Sequence, residues 1–347
     1  MRADQHPDAF GWVDGYLAHM RPHFEVRDAD RLLIAMPNKA VKLNPSGLAI
    51  LRFLKDGGSV CRLLESVADQ PQRRRELYCF LCDCRSLMSG CLGEGHGRAA
   101  VEVVAHGAEP FNTLPVLSEV AVTYRCNLRC RFCYAACGCR VSEDTDQEMD
   151  TAAVTRVLEV IRREAQVPSV SFTGGEPLLR EDLEELIAAA VRLELRPNLI
   201  TNGTALAGNG RAARLRAAGL VSAQVSLEGP SAAVHDGLTG VPGSFERTLA
   251  GVAALRRAGI HTHTNTTLNA LNEDALEALV DTVAALGLER MSANLVIPSG
   301  SAADGALQIG YDRIGSVVLR LREAARRAGV ELMWYSPTPL CLFNPLA

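Results

Sequence analysis

The sequence predicts an α/β protein in which a parallel sheet with crossover helices follows a small, winged-helix-like α+β domain. Two observations support this prediction. After the first hundred residues, strand-like apolar runs alternate with amphipathic helices, as in parallel sheets. Residues 105–117 contain glycine and two prolines without apolar periodicity, which is typical of a linker. We therefore expect a first domain at residues 1–104 and a main domain at residues 118–335.

The first domain begins with short strands and continues with helices. Residues 25–43 are expected to form the strands, with a turn at residues 37–38. A helix should begin at Asn44 and end before Gly57, and Ser59 should cap a second helix. Asn and Ser are favoured at these positions because their side chains accept hydrogen bonds from the first N–H groups of a helix.

The main domain contains six strand-like runs separated by helices with apolar residues at i, i+3, i+4 and i+7. The runs are Glu119–Thr123, Ser169–Phe172, Asn198–Thr201, Ala223–Leu227, Thr264–Leu268 and Ala293–Ile297. Periodicity alone leaves open whether the sheet is flat or curled into a partial barrel. In either case ligands should bind at the carboxyl ends of the strands.

Composition excludes several classes of protein. The chain has 347 residues, of which 48% are hydrophobic and 22% charged, as in ordinary globular proteins. Its net charge of −4, from 36 basic and 40 acidic residues, provides no electrostatic basis for binding nucleic acid. It contains neither an apolar run of roughly 18 residues nor a signal-peptide pattern. We therefore expect a cytoplasmic protein with no membrane or nucleic-acid partner.

The cysteines provide the first indication of chemistry. There are eleven, and all but Cys341 fall within residues 61–91 and 126–139. In a reducing compartment, such clusters more often bind metals or perform redox chemistry than form disulfides.

Cys126, Cys130 and Cys133 directly follow the first strand of the main domain. Three thiolates on one loop can bind one compact metal centre. Zinc sites usually take four ligands in two separated pairs, and a four-iron cluster normally takes four cysteines. With three cysteines, one iron keeps an open coordination position for chemistry on a ligand. Cys137 and Cys139 would complete a closed site instead, but the position of the three cysteines at a strand end favours the open one.

Further candidate binding residues follow the next three strands. Paired glycines allow the backbone to approach a ligand closely, and carboxylate, amide and hydroxyl groups nearby would line the same pocket. These residues are Gly174, Gly175, Glu176, Asn202, Ser226 and Glu228.

The motif CNLRCRFC after the first strand, with GGEP after the second, resembles the radical S-adenosylmethionine (SAM) superfamily over about Glu119–Leu332. The resemblance implies a partial (β/α)6 TIM-type barrel. It implies that Cys126, Cys130 and Cys133 hold a 4Fe–4S cluster whose fourth iron is chelated by SAM. It also implies reductive cleavage of SAM to a 5′-deoxyadenosyl radical that abstracts a substrate hydrogen, with an electron donor such as flavodoxin or ferredoxin.

The resemblance also implies where SAM is bound. Phe132 and the backbone of Tyr134 are expected near the adenine. The other implied contacts are Gly174, Gly175 and Glu176 at the methionine ammonium, Ser226, Glu228 and Asn202 near the ribose, and, as looser matches, Thr267 and Val296. Strand-end capping explains Ser226 and Glu228 equally well. No catalytic acid or base is identified, because His235 and Asp236 are expected to be solvated or capping residues.

The first domain, over about Phe24–Leu87, resembles the PqqD-like domains that recognise leader peptides. An exposed strand edge beside a helix can bind an extended peptide by β-augmentation. The resemblance therefore implies a precursor-peptide partner; the alternative is a winged-helix fold used only for packing. The cysteines of this domain are expected to be helix core residues rather than metal ligands. They include Cys79, Cys82, Cys84 and Cys91.

Three functions follow from these expectations. The leading one is an oxidoreductase-type maturase that modifies a ribosomally made precursor peptide by radical SAM chemistry. The second applies the same chemistry to a small-molecule or cofactor precursor such as a tetrapyrrole. The third is a peptide-binding, metal-sensing module without catalysis. Cys341 lies where a cysteine-rich SPASM-type extension would begin, so residues 336–347 are expected to be the start of a truncated extension.

Overall fold

The computed structural model describes residues 9–35, 39–88, 112–139, 148–208, 210–336 and 338. The chain divides into two compact units, one of residues 1–118 with 160–169 and one of residues 119–159 with 170–347. The expected turn at residues 37–38, the cysteine Cys91 and the end of the expected extension lie outside the described residues.

The first unit combines a three-stranded antiparallel sheet with four helices. Its elements are α1 (Val13–Met20), β1 (Phe24–Arg27), β2 (Leu32–Ala35), β3 (Lys39–Lys42), α2 (Pro45–Lys55), α3 (Val60–Ser66) and α4 (Pro71–Met88). The predicted helix starts are confirmed. The Asn44 side chain accepts a hydrogen bond from Gly47 N at 2.7 Å, and that of Ser59 accepts one from Cys61 N at 3.1 Å.

One apolar cluster forms the core of the first unit. Phe24, Leu51 and Phe80 are buried in it, and Cys84 of α4 packs in the same cluster. Burial raises the pKa of the Cys84 thiol. Cys84 is therefore a core residue, as expected from the apolar spacing of this helix.

A buried ion pair anchors the end of the predicted linker within this unit. Arg27 and Asp30 are 3% and 4% exposed, and they form two hydrogen bonds of 2.8 Å each. Arg27 also donates to the carbonyls of Leu114 and Pro115, at 2.9 and 2.6 Å, and Thr113 N donates to Asp30 at 3.1 Å. The last linker residues are therefore held by specific hydrogen bonds.

The second unit is built on a seven-stranded parallel sheet. The strands are β4 (Glu119–Thr123), β5 (Ser169–Gly174), β6 (Arg196–Thr201), β7 (Ser222–Ser226), β8 (His261–Leu268), β9 (Arg290–Leu295) and β10 (Glu331–Trp334). They follow one another across the sheet in chain order, without the reversal of a doubly wound sheet. This order is that of a partial TIM-type barrel, so the predicted fold class is confirmed.

The prediction of six strands was one too few. The seventh strand, β10, has only four residues, and three of them are partly exposed. So short a segment at the sheet edge has neither a long apolar run nor a motif to distinguish it. The rest of the strand order agrees with the sequence prediction.

Helices follow the strands and cover the outer face of the sheet with their apolar sides. They are α5 (Thr151–Arg163), α6 (Leu183–Arg192), α7 (Arg211–Ala217), α8 (Ala232–Thr239), α9 (Ser244–Arg257), α10 (Leu276–Ala285) and α11 (Tyr311–Ala328). The predicted apolar positions are buried, for example Val154 and Leu158 of α5 and Leu279 and Val283 of α10. In the described ranges, no helix has the length and apolar character needed to cross a membrane.

The substitution Arg27→Ala should lower the free energy of unfolding of the first unit by about 3–5 kcal/mol, because it leaves the Asp30 carboxylate buried without its cation. Urea unfolding can be followed by Trp12 fluorescence in a Trp334→Phe background. Arg52→Ala, which removes the more exposed ion pair with Asp28, is the matched control and should cost at most about 1 kcal/mol. Equal losses in the two variants would contradict the anchoring role of Arg27.

The pH dependence of the free energy of unfolding should depend on the same ion pair between Arg27 and Asp30. Burial alone would raise the pKa of Asp30, but the hydrogen bonds and charge of Arg27 and the Thr113 N–H outweigh it, so the pKa is lowered. A lowered native pKa means that this stabilisation is present at neutral pH. It should be lost as the pH falls below about 4, and in Arg27→Ala this acid-dependent part of the unfolding curve should disappear.

Candidate active site

The loop that follows β4 carries the three predicted metal ligands and docks on the end of α8. Arg129 N donates to the Thr239 carbonyl and Arg131 N donates to the Leu238 carbonyl, each at 2.9 Å. The last carbonyls of a helix have no partner within the helix, so they are available to hold another segment. These two bonds flank Cys130 and fix its backbone at the carboxyl ends of the strands.

The two predicted glycines pack against the start of this loop. Gly175 N donates to the Thr123 carbonyl, and Glu176 N donates to the Arg125 carbonyl, each at 2.8 Å. A Cβ atom on Gly175 would overlap with the Arg125 carbonyl oxygen, and one on Gly174 would overlap with that of Thr123. Gly174 also has a φ of +140°, which side chains rarely adopt. The glycines therefore allow the end of β5 to contact the backbone just before Cys126.

The three thiols of Cys126, Cys130 and Cys133 are partly buried. Leu128 N donates to Cys126 Sγ at 3.5 Å, and Cys137 N donates to Cys133 Sγ at 3.4 Å. Sulfur atoms with backbone N–H donors are suited to carry negative charge, as metal-binding thiolates do.

Their ionisation is strongly unequal. Burial raises the pKa of Cys126 to about 11 and raises that of Cys130 as well. For Cys130, the charges of Glu228 and the two other cysteines raise the pKa further. The Cys137 side chain and nearby N–H groups lower the pKa of Cys133 to about 5. All three thiols can be ionised together only beside a cationic partner, and this donor set fits an iron–sulfur cluster.

Cys137 is buried beside this group, and it is hydrogen-bonded to Cys133 through its backbone N–H. A Cβ atom on the neighbouring Gly138 would overlap with the Leu128 carbonyl oxygen. The backbone at Gly138 therefore packs closely against the backbone of Leu128, in the first half of the same loop. The side chain of Cys139 lies outside the described residues.

Glu176 is fully buried and binds the end of the next strand. Its Oε1 accepts hydrogen bonds from Thr201 Oγ1 at 2.7 Å and Leu178 N at 3.0 Å, and its Oε2 accepts one from Asn202 N at 2.7 Å. Burial raises the pKa of Glu176, although the hydrogen bonds oppose this effect. A carboxylate has about four acceptor positions, so these bonds leave about one for a ligand. Besides the predicted contact with the methionine ammonium, Glu176 therefore holds the end of β6 through hydrogen bonds.

Asn202 connects the end of β6 to the cysteine loop. Its Nδ2 donates to Asn127 Oδ1 at 2.8 Å, and Asn127 Nδ2 donates to Thr204 Oγ1 at 2.8 Å. Sequence reasoning missed Asn127 and Thr204. The only available signal was the position of Asn127 directly after the first cysteine, because its partners come from a distant part of the chain.

Glu228, at the end of β7, is 1% exposed and is held from two sides. Its Oε2 accepts a hydrogen bond from Thr267 N at 2.9 Å, and its own N–H donates to His235 Nδ1 at 3.1 Å. Burial raises the pKa of Glu228 to about 8. Ser226 pairs in register with Asn265 on the neighbouring strand. Glu228 and the looser match Thr267 are thus in direct contact.

The structure distinguishes His235 from Asp236. Asp236 caps α9 as expected, because its carboxylate accepts hydrogen bonds from Gly243 N at 2.6 Å and Phe245 N at 2.7 Å. His235 is neither solvated nor capping, since it is 1% exposed and burial lowers its pKa to about 4. Its Nδ1 is an acceptor, which assigns the proton to Nε2; this atom has no hydrogen-bond partner among the described residues. Helix α8 therefore contacts Glu228 through His235 and the cysteine loop through its last carbonyls.

The predicted adenine residues lie where the cysteine loop ends. Phe132 packs against a buried cluster of Val296, Ala302 and Leu307. Tyr134 has a side chain that is 62% exposed, and its carbonyl accepts a hydrogen bond from Ser299 Oγ at 3.2 Å. The segment after β9 therefore holds the far end of the loop and brings Val296 to Phe132.

The substitution Gly175→Ala should greatly reduce the iron bound per chain after anaerobic reconstitution, because the added Cβ displaces the backbone before Cys126. The control is Gly237→Ala in α8, where an added Cβ meets no atom within 4 Å. Alanine has the higher helix propensity, so this control should retain its iron and full stability. Full iron binding by Gly175→Ala would contradict the close-packing argument.

Part of the chain is similar in sequence to proteins of known function. Residues 120–283 match the Radical SAM superfamily. The AdoMet-dependent heme synthase of Oleidesulfovibrio alaskensis is 35% identical over 188 residues, covering 54% of this chain and 47% of that protein. The PqqA peptide cyclase of Xanthomonas campestris pv. campestris is 31% identical over 228 residues, covering 65% of this chain and 59% of that protein. The chain thus spans about half the length of the curated relatives it matches.

Solved structures share the fold. SuiB of Streptococcus suis bound to S-adenosylmethionine superposes with a TM-score of 0.62 at 17% identity, covering 90% of this chain and 71% of that one. The protein anSMEcpe with bound AdoMet gives a TM-score of 0.51 at 15% identity, covering 63% of each chain. The cysteine loop thus lies within the residues 120–283 that match the Radical SAM superfamily, a superfamily that uses a 4Fe–4S cluster and SAM.

Proposed function

We propose that the protein is an enzyme that binds a 4Fe–4S cluster through Cys126, Cys130 and Cys133 and cleaves SAM reductively. The main support is the docking of the cysteine loop at the carboxyl ends of the strands, beside the buried carboxylate of Glu228. A bound cluster with SAM would supply one-electron chemistry that removes a hydrogen atom from a substrate carbon. The electron would come from a donor such as flavodoxin or ferredoxin.

The chain's own residues would bind the cluster, orient SAM and exclude water from the site. The thiolates would hold the cluster, and the paired glycines would place backbone groups within reach of the methionine part of SAM. Ser226 and Glu228 offer hydrogen-bonding groups for the ribose. Phe132 and its apolar cluster cover one side of the loop, and a dry site protects a reactive intermediate from water.

The proposed substrate is a ribosomally made precursor peptide whose leader binds the PqqD-like first unit. In that unit β3 is an edge strand, paired with β2 on one side only among the described residues. Such an edge can add a peptide strand through main-chain hydrogen bonds. The resemblance of fold to SuiB, whose structure with its precursor peptide SuiA is solved, motivates this assignment.

A second candidate substrate is a tetrapyrrole. It is favoured by the relatives named as heme synthases, which are 35% and 34% identical to this chain over 188 and 182 residues. Radical chemistry on either substrate would use the same cysteine loop.

Cleavage of SAM tests the enzyme proposal directly. The anaerobically reconstituted and reduced protein should form 5′-deoxyadenosine from SAM, and Cys130→Ala should reduce this product to background because one cluster ligand is lost. The matched control is Cys61→Ala, which removes an exposed thiol of α3 and should leave the yield unchanged. A full complement of iron and sulfide without product would instead indicate a binding or sensing module.

The substrate class requires a second experiment. A peptide encoded beside the gene, added to the reduced protein with SAM, should change in mass, and Cys130→Ala should leave that mass unchanged. A change in an added tetrapyrrole, with the peptide unaltered, would favour the second candidate.

A further inference from the structure

A fourth thiol, that of Cys137, lies beside the three proposed cluster ligands. Cys137 is 3% exposed, and its N–H donates to Cys133 Sγ at 3.4 Å. The side chain of Cys137 is hydrogen-bonded to Cys133 as well. One buried residue therefore supplies both a main-chain donor and a side-chain donor to a proposed ligand sulfur.

A residue in the left-handed conformation directs the Cys137 N–H back to Cys133. Ala136 has a φ of +50°, which residues other than glycine, asparagine and aspartate rarely adopt. Its own N–H donates to the Cys133 carbonyl at 3.1 Å, so residues 133–136 form a closed turn. Turns that place main-chain N–H groups around one atom bind anions, and they occur at iron–sulfur clusters. The turn after Cys133 is therefore suited to surround a thiolate with donors.

Close backbone contacts fix this turn on both sides of Cys137 in the sequence. Before Cys137, Ser301 N donates to the Cys133 carbonyl at 2.8 Å, and a Cβ atom on Gly300 would overlap with that carbonyl oxygen. After it, Gly138 packs against the first half of the cysteine loop. Strained main-chain conformations persist where the surrounding structure enforces them, as these contacts do here. The fold itself therefore places the two donors of Cys137.

Two chemical roles are open to a thiol at this position, that of a fourth cluster ligand and that of a hydrogen-bond donor. As a ligand, Cys137 would occupy the coordination position that three cysteines leave open. The ligand sulfurs of a four-iron cluster point outward from different irons and are well separated. Cys137 is instead in hydrogen-bonding contact with Cys133. The geometry therefore favours the donor.

A donor to a ligand sulfur changes how readily a cluster accepts an electron. Reduction adds one electron and thus increases the negative charge on the ligand sulfurs. A hydrogen bond to such a sulfur stabilises the reduced form more than the oxidised form, and such bonds help to set the potentials of iron–sulfur clusters. The donors of Cys137 would therefore make the cluster easier to reduce.

We propose that Cys137 is not a cluster ligand and that its N–H and S–H groups, by donating to Cys133 Sγ, raise the reduction potential of the bound cluster. Cys137 is thus a positioning residue that acts through Cys133. This proposal rests on the proposed function and names a residue that adjusts the electron-accepting step of the same site.

The test is a redox titration of the anaerobically reconstituted full-length protein, monitored by EPR with low-potential viologen mediators. At a fixed solution potential, Cys137→Ala should lower the ratio of reduced to oxidised cluster by about 2- to 12-fold, the range for one hydrogen bond. A tenfold change in this ratio corresponds to about 59 mV for a one-electron couple. An unchanged ratio in Cys137→Ala would overturn the proposal.

A conservative variant separates donation from packing. Cys137→Ser keeps a side-chain donor, so its ratio should lie closer to that of the parent than the ratio of Cys137→Ala does. A ratio in Cys137→Ser equal to that in Cys137→Ala would contradict the side-chain donor. The matched control is Cys61→Ala, which removes an exposed thiol of α3 and should titrate as the parent does.

Addition of SAM distinguishes a donor from a fourth ligand. If Cys137 is a donor, Cys137→Ala should bind as much iron and sulfide as the parent, and SAM should change the EPR spectrum of the reduced cluster in both proteins. A parent spectrum that is insensitive to SAM, with a sensitive spectrum in Cys137→Ala, would show that Cys137 closes the site and would overturn the proposal.

The readouts separate this proposal from the proposed function, because a potential is measured without turnover. A chain whose cluster potential depends on Cys137 but which forms no 5′-deoxyadenosine would contradict the proposed function and support the role of Cys137. A chain that cleaves SAM and has the same potential in Cys137→Ala would contradict the role of Cys137 alone. A chain that assembles no cluster would contradict both.

Discussion

The close contact between the end of β5 and the start of the cysteine loop is the constraint on which the site depends. Two main-chain hydrogen bonds of 2.8 Å, from Gly175 N and Glu176 N, hold this contact, and no side chain fits at Gly174 or Gly175. Because the backbones touch, the carboxylate of Glu176 can reach the end of β6. The hydrogen bonds of Asn202 then extend the network back to Asn127 in the loop. Main-chain packing thus sets where the thiols lie.

Helix α8 holds the same loop at a second place. Its last carbonyls accept hydrogen bonds from the residues that flank Cys130, and its buried His235 accepts one from Glu228 N. The loop is therefore held by both β5 and α8 through main-chain hydrogen bonds. Acidic groups and thiols are buried around this loop, and burial raises the pKa of Glu176, Glu228, Cys126 and Cys130. Such a region is poorly suited to holding all its negative charges alone, and a bound cationic cluster would stabilise their ionised forms.

Sequence reasoning succeeded where the signal is local. The caps at Asn44 and Ser59, the order of the first six strands and the cysteine loop after β4 follow from short-range patterns, and the structure has them at these places. It failed for β10, which is short and at the edge, and for His235, whose burial depends on the packing of α8 and α9. The carboxylate of Glu176 was predicted from its motif, but its bonds to β6 were not, because its partners lie 25 and 26 residues away. Non-local hydrogen bonds have no signature in a single sequence.

The two faces of the central strands differ in polarity. One face of β6 and β7 has apolar residues under the helices, and this burial supplies the hydrophobic stabilisation of the sheet. The other face is then free to be polar, provided that its groups satisfy one another when no ligand is present. Hydrogen bonds between side chains of neighbouring strands meet this requirement: Ser222 pairs with Asn198, His263 with Gln224, and Asn265 with Asn294. The polar face is therefore satisfied by its own hydrogen bonds, while the apolar face supplies the hydrophobic stabilisation of the sheet.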